Sequence, residues 1–91
     1  MVMNASANLR MVQIILLWAW DPIGVRGIPE AVDEYDSYAP AVLEMLATGA
    51  SDRHIADYLT GVVRDRMELR PDPKVDEDVA AMLRELYAIG G

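Results

Sequence analysis

The run from Leu9 to Trp20 places the strongest limit on what this chain can fold into: of its twelve residues only Arg10 and Gln13 are polar, and Asp21-Pro22 closes it. A residue that precedes proline avoids helical geometry, so a helix over this run stops at Trp20. Twelve helical residues reach about 18 Å, against about 30 Å of hydrocarbon in a bilayer, so the run is too short to span one. It is a poor secretion signal too, because no cationic segment precedes it and Trp-Asp-Pro is not a small-residue cleavage site. What remains is a helix that is apolar on nearly every side, the pattern of a central or partner-covered element. Ser6 or Asn8 is its expected cap, which leaves residues 1–7 as a candidate disordered lead. The expected location is the cytoplasm.

The rest of the chain divides into three more helices. Asp36 or Ser37 opens a second, with Pro40 tolerated in its first turn, Gly49 as a left-handed cap, and Ala39, Val42, Leu43 and Leu46 as its stripe. Ser51 caps a third helix to about Met67 that turns Ile55, Leu59, Val62 and Val63 inward. With only Gly49-Ala50 between them, the two must form a tight hairpin. Pro71-Asp72-Pro73 then breaks the chain, and Val75, Val79, Met82, Leu83 and Leu86 recur at helical spacing, with Asp76, Glu77 and Asp78 at the positive end of that fourth helix. The expectation is one all-α, compact four-helix domain, with helices at about 9–20, 37–48, 51–67 and 75–88 and a long 21–36 connection.

Composition narrows the function. A hydrophobic share of 53% argues against disorder despite a net charge of -7. Six Met, four Tyr, two Trp and no Phe leave the core to aliphatics and to methionine, an adaptable packer that suits interfaces, so self-association stays open. The absence of cysteine removes disulfides, thiolate metal sites and thiol nucleophiles. Residues 30–60 hold seven acids against Arg53 alone. That field disfavours nucleic acid, which needs a basic face, and suits a basic protein partner.

The 21–36 connection is longer than most loops of compact domains, and loops of that length are usually functional, disordered or locally helical. It carries two blocks, Trp20-Asp21-Pro22-Ile23-Gly24-Val25 and Asp33-Glu34-Tyr35-Asp36. In the first, a carboxylate, a fixed φ and a glycine make a sharp reversal. Pro29, at a first helical position, can start a turn that runs to Tyr35. Trp18 and Trp20 point about 200° apart on a helix, so at most one faces the core. Glu30, Asp33, Glu34 and Asp36 are enough carboxylates for a hard cation but lack the glycine and closing Glu of a calcium loop, so a solvated negative face is the default. Tyr35 and Tyr38 either present two rigid contacts to a partner or bury against Trp20.

Elsewhere the chemistry is sparse. His54, with Asp57 and Tyr58 a turn on, is a conceivable acid–base pair but has no nucleophile context and is expected at the surface. Arg64, Arg66, Arg70 and Lys74 alternate with Asp65, Glu68 and Asp72, as on a salt-bridged exposed face. There is no phosphate loop or dinucleotide fingerprint, and no cofactor is expected.

The pairing of the two blocks resembles the YugE-like family of small uncharacterised bacterial helical proteins. The likeness covers the first half well and the rest by helix order, and Ala19 stands where that pattern carries a polar residue. The resemblance implies a bacterial origin, a compact helical fold and a special role for these blocks; it implies no substrate and no catalytic residue. The leading expectation is therefore a non-enzymatic acidic interaction module, in its sharpest version an immunity or antitoxin-like inhibitor of a basic protein. Its binding candidates are Trp20, Asp21, Asp33, Glu34, Tyr35, Asp36 and Tyr38. The alternatives are a small-molecule or divalent-cation binder using the 20–38 region, and a structural homodimer through the first helix.

Overall fold

The computed structural model describes the backbone of residues 5–90 and the side chains of residues 7–89. Four helices form the domain, and there is no strand among the described residues. Helix α1 (Ala5–Ile15) runs on through a π-helical turn (Leu16–Trp20), α2 covers Ala39–Ala47, α3 (Asp52–Gly61) also ends in a π-helical turn (Val62–Arg66), and α4 covers Pro73–Gly90. None of the described helices is long and apolar enough to cross a membrane.

Helix α1 starts earlier than its expected caps. Ser6 and Asn8 lie within it rather than ahead of it, because the alanines around them are strong helix formers and extend the element toward the N-terminus. Of the expected disordered lead, residues 1–4 lie outside the described residues and 5–7 are helical.

The α2–α3 hairpin is built as the spacing requires. Gly49, at φ +80°, closes α2 with two bonds, its own N–H to Leu46 C=O and Ala50 N–H to Met45 C=O, the two-bond signature of a left-handed helix stop. Two residues later the Ser51 hydroxyl accepts the His54 N–H at 3.1 Å and starts α3. Helix α4 begins in the same manner: the Asp72 carboxylate accepts Val75 N–H, its carbonyl accepts Asp76 N–H, and Pro73 occupies a first-turn position where its missing N–H costs nothing.

The core takes one stripe from each helix: Val12, Leu16 and Trp20 from α1, Ala39, Val42 and Leu46 from α2, Ile55, Leu59, Val62 and Val63 from α3, and Val79, Ala80 and Leu83 from α4. Tyr35 is the contribution of the long connection. With extents of 40 × 30 × 17 Å, the molecule is about two helix layers thick at its thinnest, since packed helix axes lie 8–10 Å apart. Two layers cannot enclose a helix, and so the expectation of an all-round covered α1 is corrected within this chain. Ile14 is 42% and Trp18 51% exposed on its outer side. The fourth helix departs from its expected stripe for the same reason, with Met82 and Leu86 on its exposed flank while Ala80 faces in.

Candidate functional site

Helices α1 and α3 both end in a π turn with a positive-φ residue after it, Asp21 directly after the first and Glu68 one residue beyond Met67 after the second, and the first of these ends carries the most elaborate polar structure among the described residues. At the end of α1, Asp21 adopts φ +37° and its N–H bonds back to Leu16 C=O. A left-handed conformation is costly for most side chains and least so for Asn and Asp. Its carboxylate then organises the connection. It accepts Val25 N–H at 2.8 Å and Arg26 N–H at 3.1 Å, accepts the Tyr35 hydroxyl at 2.8 Å, and has the Arg26 guanidinium at 3.8 Å. The Tyr35 oxygen in turn accepts Ile23 N–H at 3.1 Å. Arg26 also donates to the Trp18 carbonyl and so places a cation at the negative end of α1.

Residues 21–38 are thus neither a free loop nor a helix. They form a chain of turns in which Gly24, Ile28, Ala31, Glu34, Asp36 and Tyr38 each donate an N–H to the carbonyl three residues back. Short 3₁₀ turns at Pro29–Ala31 and Asp36–Tyr38 sit within it, the first begun by Pro29 as its position requires. Gly24 and Gly27 supply positive φ where the chain reverses.

The Asp21 and Tyr35 hydrogen bonds form a clasp on the connection, and Trp20 packs against it, 4% exposed, edge-on to Tyr35 and Tyr38 with ring centroids 5.3 and 6.1 Å away. Its indole N–H donates to Asp76 at 3.0 Å, and the other oxygen of Asp76 accepts the Thr60 hydroxyl at 2.6 Å. Asp76 is the one buried charged residue among the described residues, and it ties the start of α4 to the ends of α1 and α3. The two carboxylates are tuned in opposite directions. Burial pushes Asp21 up, but the Tyr35 hydroxyl, two backbone N–H groups and the Arg26 guanidinium outweigh it and hold the group below the usual carboxylate range. Burial also pushes Asp76 up; Thr60 and Trp20 oppose it, Asp72 adds to it, and the net result is a raised value. Burial raises the Tyr35 phenol as well, so it stays a neutral donor to Asp21.

Of the sequence-derived candidates, the structure gathers Trp20, Asp21, Tyr35 and Tyr38 into one cluster. Tyr35 is 1% exposed, which corrects the expectation that it is presented to a partner: its ring is needed in the core and its hydroxyl inside the clasp. Tyr38 is half-buried, with the Arg66 guanidinium 6.0 Å from its ring centre. Asp33 and Glu34 are exposed and Asp36 is half-buried; none of the three forms an ion pair among the described residues. No three His, Asp or Glu side chains of the described residues converge to hold a metal ion. His54 is exposed, and Asp57 turns to Arg53 at 3.1 Å. With Glu44, Met45 and Tyr58 they line an open groove of about 520 Å³ between α2 and α3.

A smaller cleft of about 230 Å³ adjoins the Trp20 cluster; Asp21, Val63, Arg70, Asp72 and Asp76 are among its walls, and Asp33, Glu34 and Asp36 are not. Sequence reasoning missed Asp76, Thr60 and Arg70 as members of this region. Asp76 did carry a signal, because it shares a helical face with Val79, Ala80 and Leu83, where a carboxylate needs partners. No family model, curated protein or solved structure matches the chain.

Proposed function

We propose that this chain is a non-enzymatic interaction module whose contact surface is the outer side of the 22–36 connection, and that its partner is a basic protein. The observation that carries this is a contrast within one segment. From inside, the connection is locked by Asp21 and Tyr35; outward it exposes Ile23, Ile28 and Val32, the last 56% exposed, beside Glu30, Asp33 and Glu34. Large aliphatics on a preordered backbone bind without a large ordering cost, and unpaired carboxylates around them attract a cationic face. An immunity or antitoxin-like inhibitor in the bacterial cytoplasm is the sharpest form of this reading, and membership of the YugE-like group belongs to it.

The test is in-cell crosslinking from the connection followed by affinity capture. The expected result is a basic protein whose capture falls with added salt and is lost in Ile28→Ser/Val32→Ser and in Asp33→Asn/Glu34→Gln, while Asp78→Asn on α4 retains it. Capture that is unchanged in both connection variants sinks the reading.

One observation favours a second reading, a homodimer through α1: Ile14 and Trp18, one turn apart, are both exposed on a helix with no acid between Ala5 and Trp20. Sedimentation at micromolar concentration decides it. A dimer lost in Ile14→Ser/Trp18→Ser supports it, and a monomer removes it.

A further inference from the structure

The cleft beside Trp20 shares only Pro22 with the connection that carries the proposed contact surface. Three helix ends form its walls: Trp20, Asp21 and Pro22 from the end of α1, Val63 and Arg70 from the end of α3 and the segment after it, and Asp72, Val75 and Asp76 from the start of α4. It therefore holds both signs of charge around a small apolar patch that comes mainly from half-buried Pro22 and Val75, with Trp20 and Val63 almost fully buried beneath it.

The charges differ in how far they are committed. Both oxygens of Asp21 are taken up by the connection, and both oxygens of Asp76 by Trp20 and Thr60. Asp72 uses one oxygen, at 3.4 Å, to cap Val75. Arg70 is exposed and forms no hydrogen bond or ion pair among the described residues, although three carboxylates share its cleft. Arg70 and Asp72, the latter with one carboxylate oxygen uncommitted, thus line one small space without forming an ion pair among the described residues. Its volume lies below the roughly 300–1,000 Å³ of sites for drug-sized ligands, so an occupant is of metabolite size.

We infer that this cleft is a binding site for a small zwitterion of the α-amino-acid class. The ligand carboxylate pairs with the Arg70 guanidinium, whose planar fork matches it. The ligand ammonium lies against Asp72, in a field to which the committed carboxylates of Asp21 and Asp76 add negative charge. A small aliphatic side chain covers Pro22 and Val75 at the edge of Trp20. A simple cation leaves Arg70 unused and a simple anion meets three carboxylates, so one molecule with both charges fits the walls better than either.

The two tryptophans supply the measurement. In the folded protein, titration with L-alanine and L-leucine is followed by NMR at the two indole N–H signals, Trp20 at the cleft and Trp18 on the outer face of α1 as internal reference. The expected result is a saturable shift at Trp20 with Trp18 unmoved. N-acetyl-alanine and alaninamide, each lacking one charge, give affinities lower by about tenfold or more. Arg70→Gln, at an exposed position, gives a similar loss, and Asp72→Asn, whose amide oxygen still caps Val75, weakens the free amino acid and alaninamide but leaves the already weak binding of N-acetyl-alanine, which has no ammonium, unchanged. No saturable Trp20 shift, equal shifts from the blocked compounds, or unchanged binding in a well-dispersed Arg70→Gln spectrum overturns the inference. Loss of the connection-dependent partner leaves these outcomes unaffected, so the two readings fail separately.

Discussion

Asp21 and Asp76 are both aspartates, both enclosed, and both hold helix ends together, yet their environments drive them apart. Asp21 follows the C-terminal end of α1, where the helix dipole disfavours a carboxylate; Asp76 lies in the first turn of α4, where the dipole favours one. Each shifts against its dipole, Asp21 down and Asp76 up. A helix end contributes about 0.3–1 kcal/mol, whereas hydrogen bonds to a charged group contribute about 1.5–3 kcal/mol each. Asp21 has three such donors and a guanidinium; Asp76 has two neutral donors and a neighbouring acid. At Asp21 the donors outweigh both burial and the macrodipole; at Asp76 burial, aided by Asp72, outweighs two donors and the macrodipole together.

Replacing Asp21 should break the comparison most severely. Asp21→Asn turns an acceptor oxygen into an N–H₂ facing either Arg26 or the Val25 and Tyr35 donors, and urea unfolding should show a loss of about 2–3 kcal/mol. A loss under half of that would mean that the clasp contributes little. Tyr35→Phe keeps the ring in the core but removes one donor from Asp21 and the acceptor of Ile23 N–H, for an expected loss of about 1–2 kcal/mol by the same assay. The Asp21 shift should rise toward the ordinary value in this variant.

The pH dependence separates the two carboxylates. Asp21 has a lowered folded value, so its stabilisation is complete above the unfolded value of 3.8 and is lost as pH falls through the folded one. Asp76 has a raised folded value, so the folded state takes up a proton first and gains stability as pH falls from above that value toward 3.8. Midpoint temperature should therefore rise gently on mild acidification and fall once pH drops below about 3.8. Asp76→Asn should remove the gentle rise and change neutral stability by under about 1 kcal/mol, because its amide can accept from Trp20 and donate to Thr60. A rise that survives this substitution would assign it to other groups.

The helices were largely legible in the sequence because their signals are local. Gly49, Ser51 and the Pro71-Asp72-Pro73 break act within a few residues, and the inward residues of α2 and α3 recur at helical spacing. The clasp was not legible in the same way. Nothing local says that Tyr35 turns inward, since its partners lie 12 and 14 residues back and reach it only after the chain has made successive turns. Asp76 was visible but was assigned to the positive helix end that any first-turn acid favours; its place on the face of Val79 and Leu83 was the better indicator. The exposure of Ile14 and Trp18 depends on how many layers the whole domain has, which no segment of sequence specifies by itself.

The position of Gly27 within the clasp has a practical consequence. It is exposed, a Cβ there would meet no atom within 4 Å, and the hydrogen bonds that fasten the connection through Asp21 and Tyr35 do not involve it. The chain can be lengthened there with little effect on the helices, since the entropy of a loop grows only slowly with its length. A short Gly-Ser insertion after Gly27 opens the one turn in which Ile28 N–H donates to Val25 C=O and should cost about 1–2 kcal/mol, and it displaces Ile28 and Val32 from the backbone that holds them. This peptide is thus a splice point at which the scaffold can be kept and the outward surface exchanged.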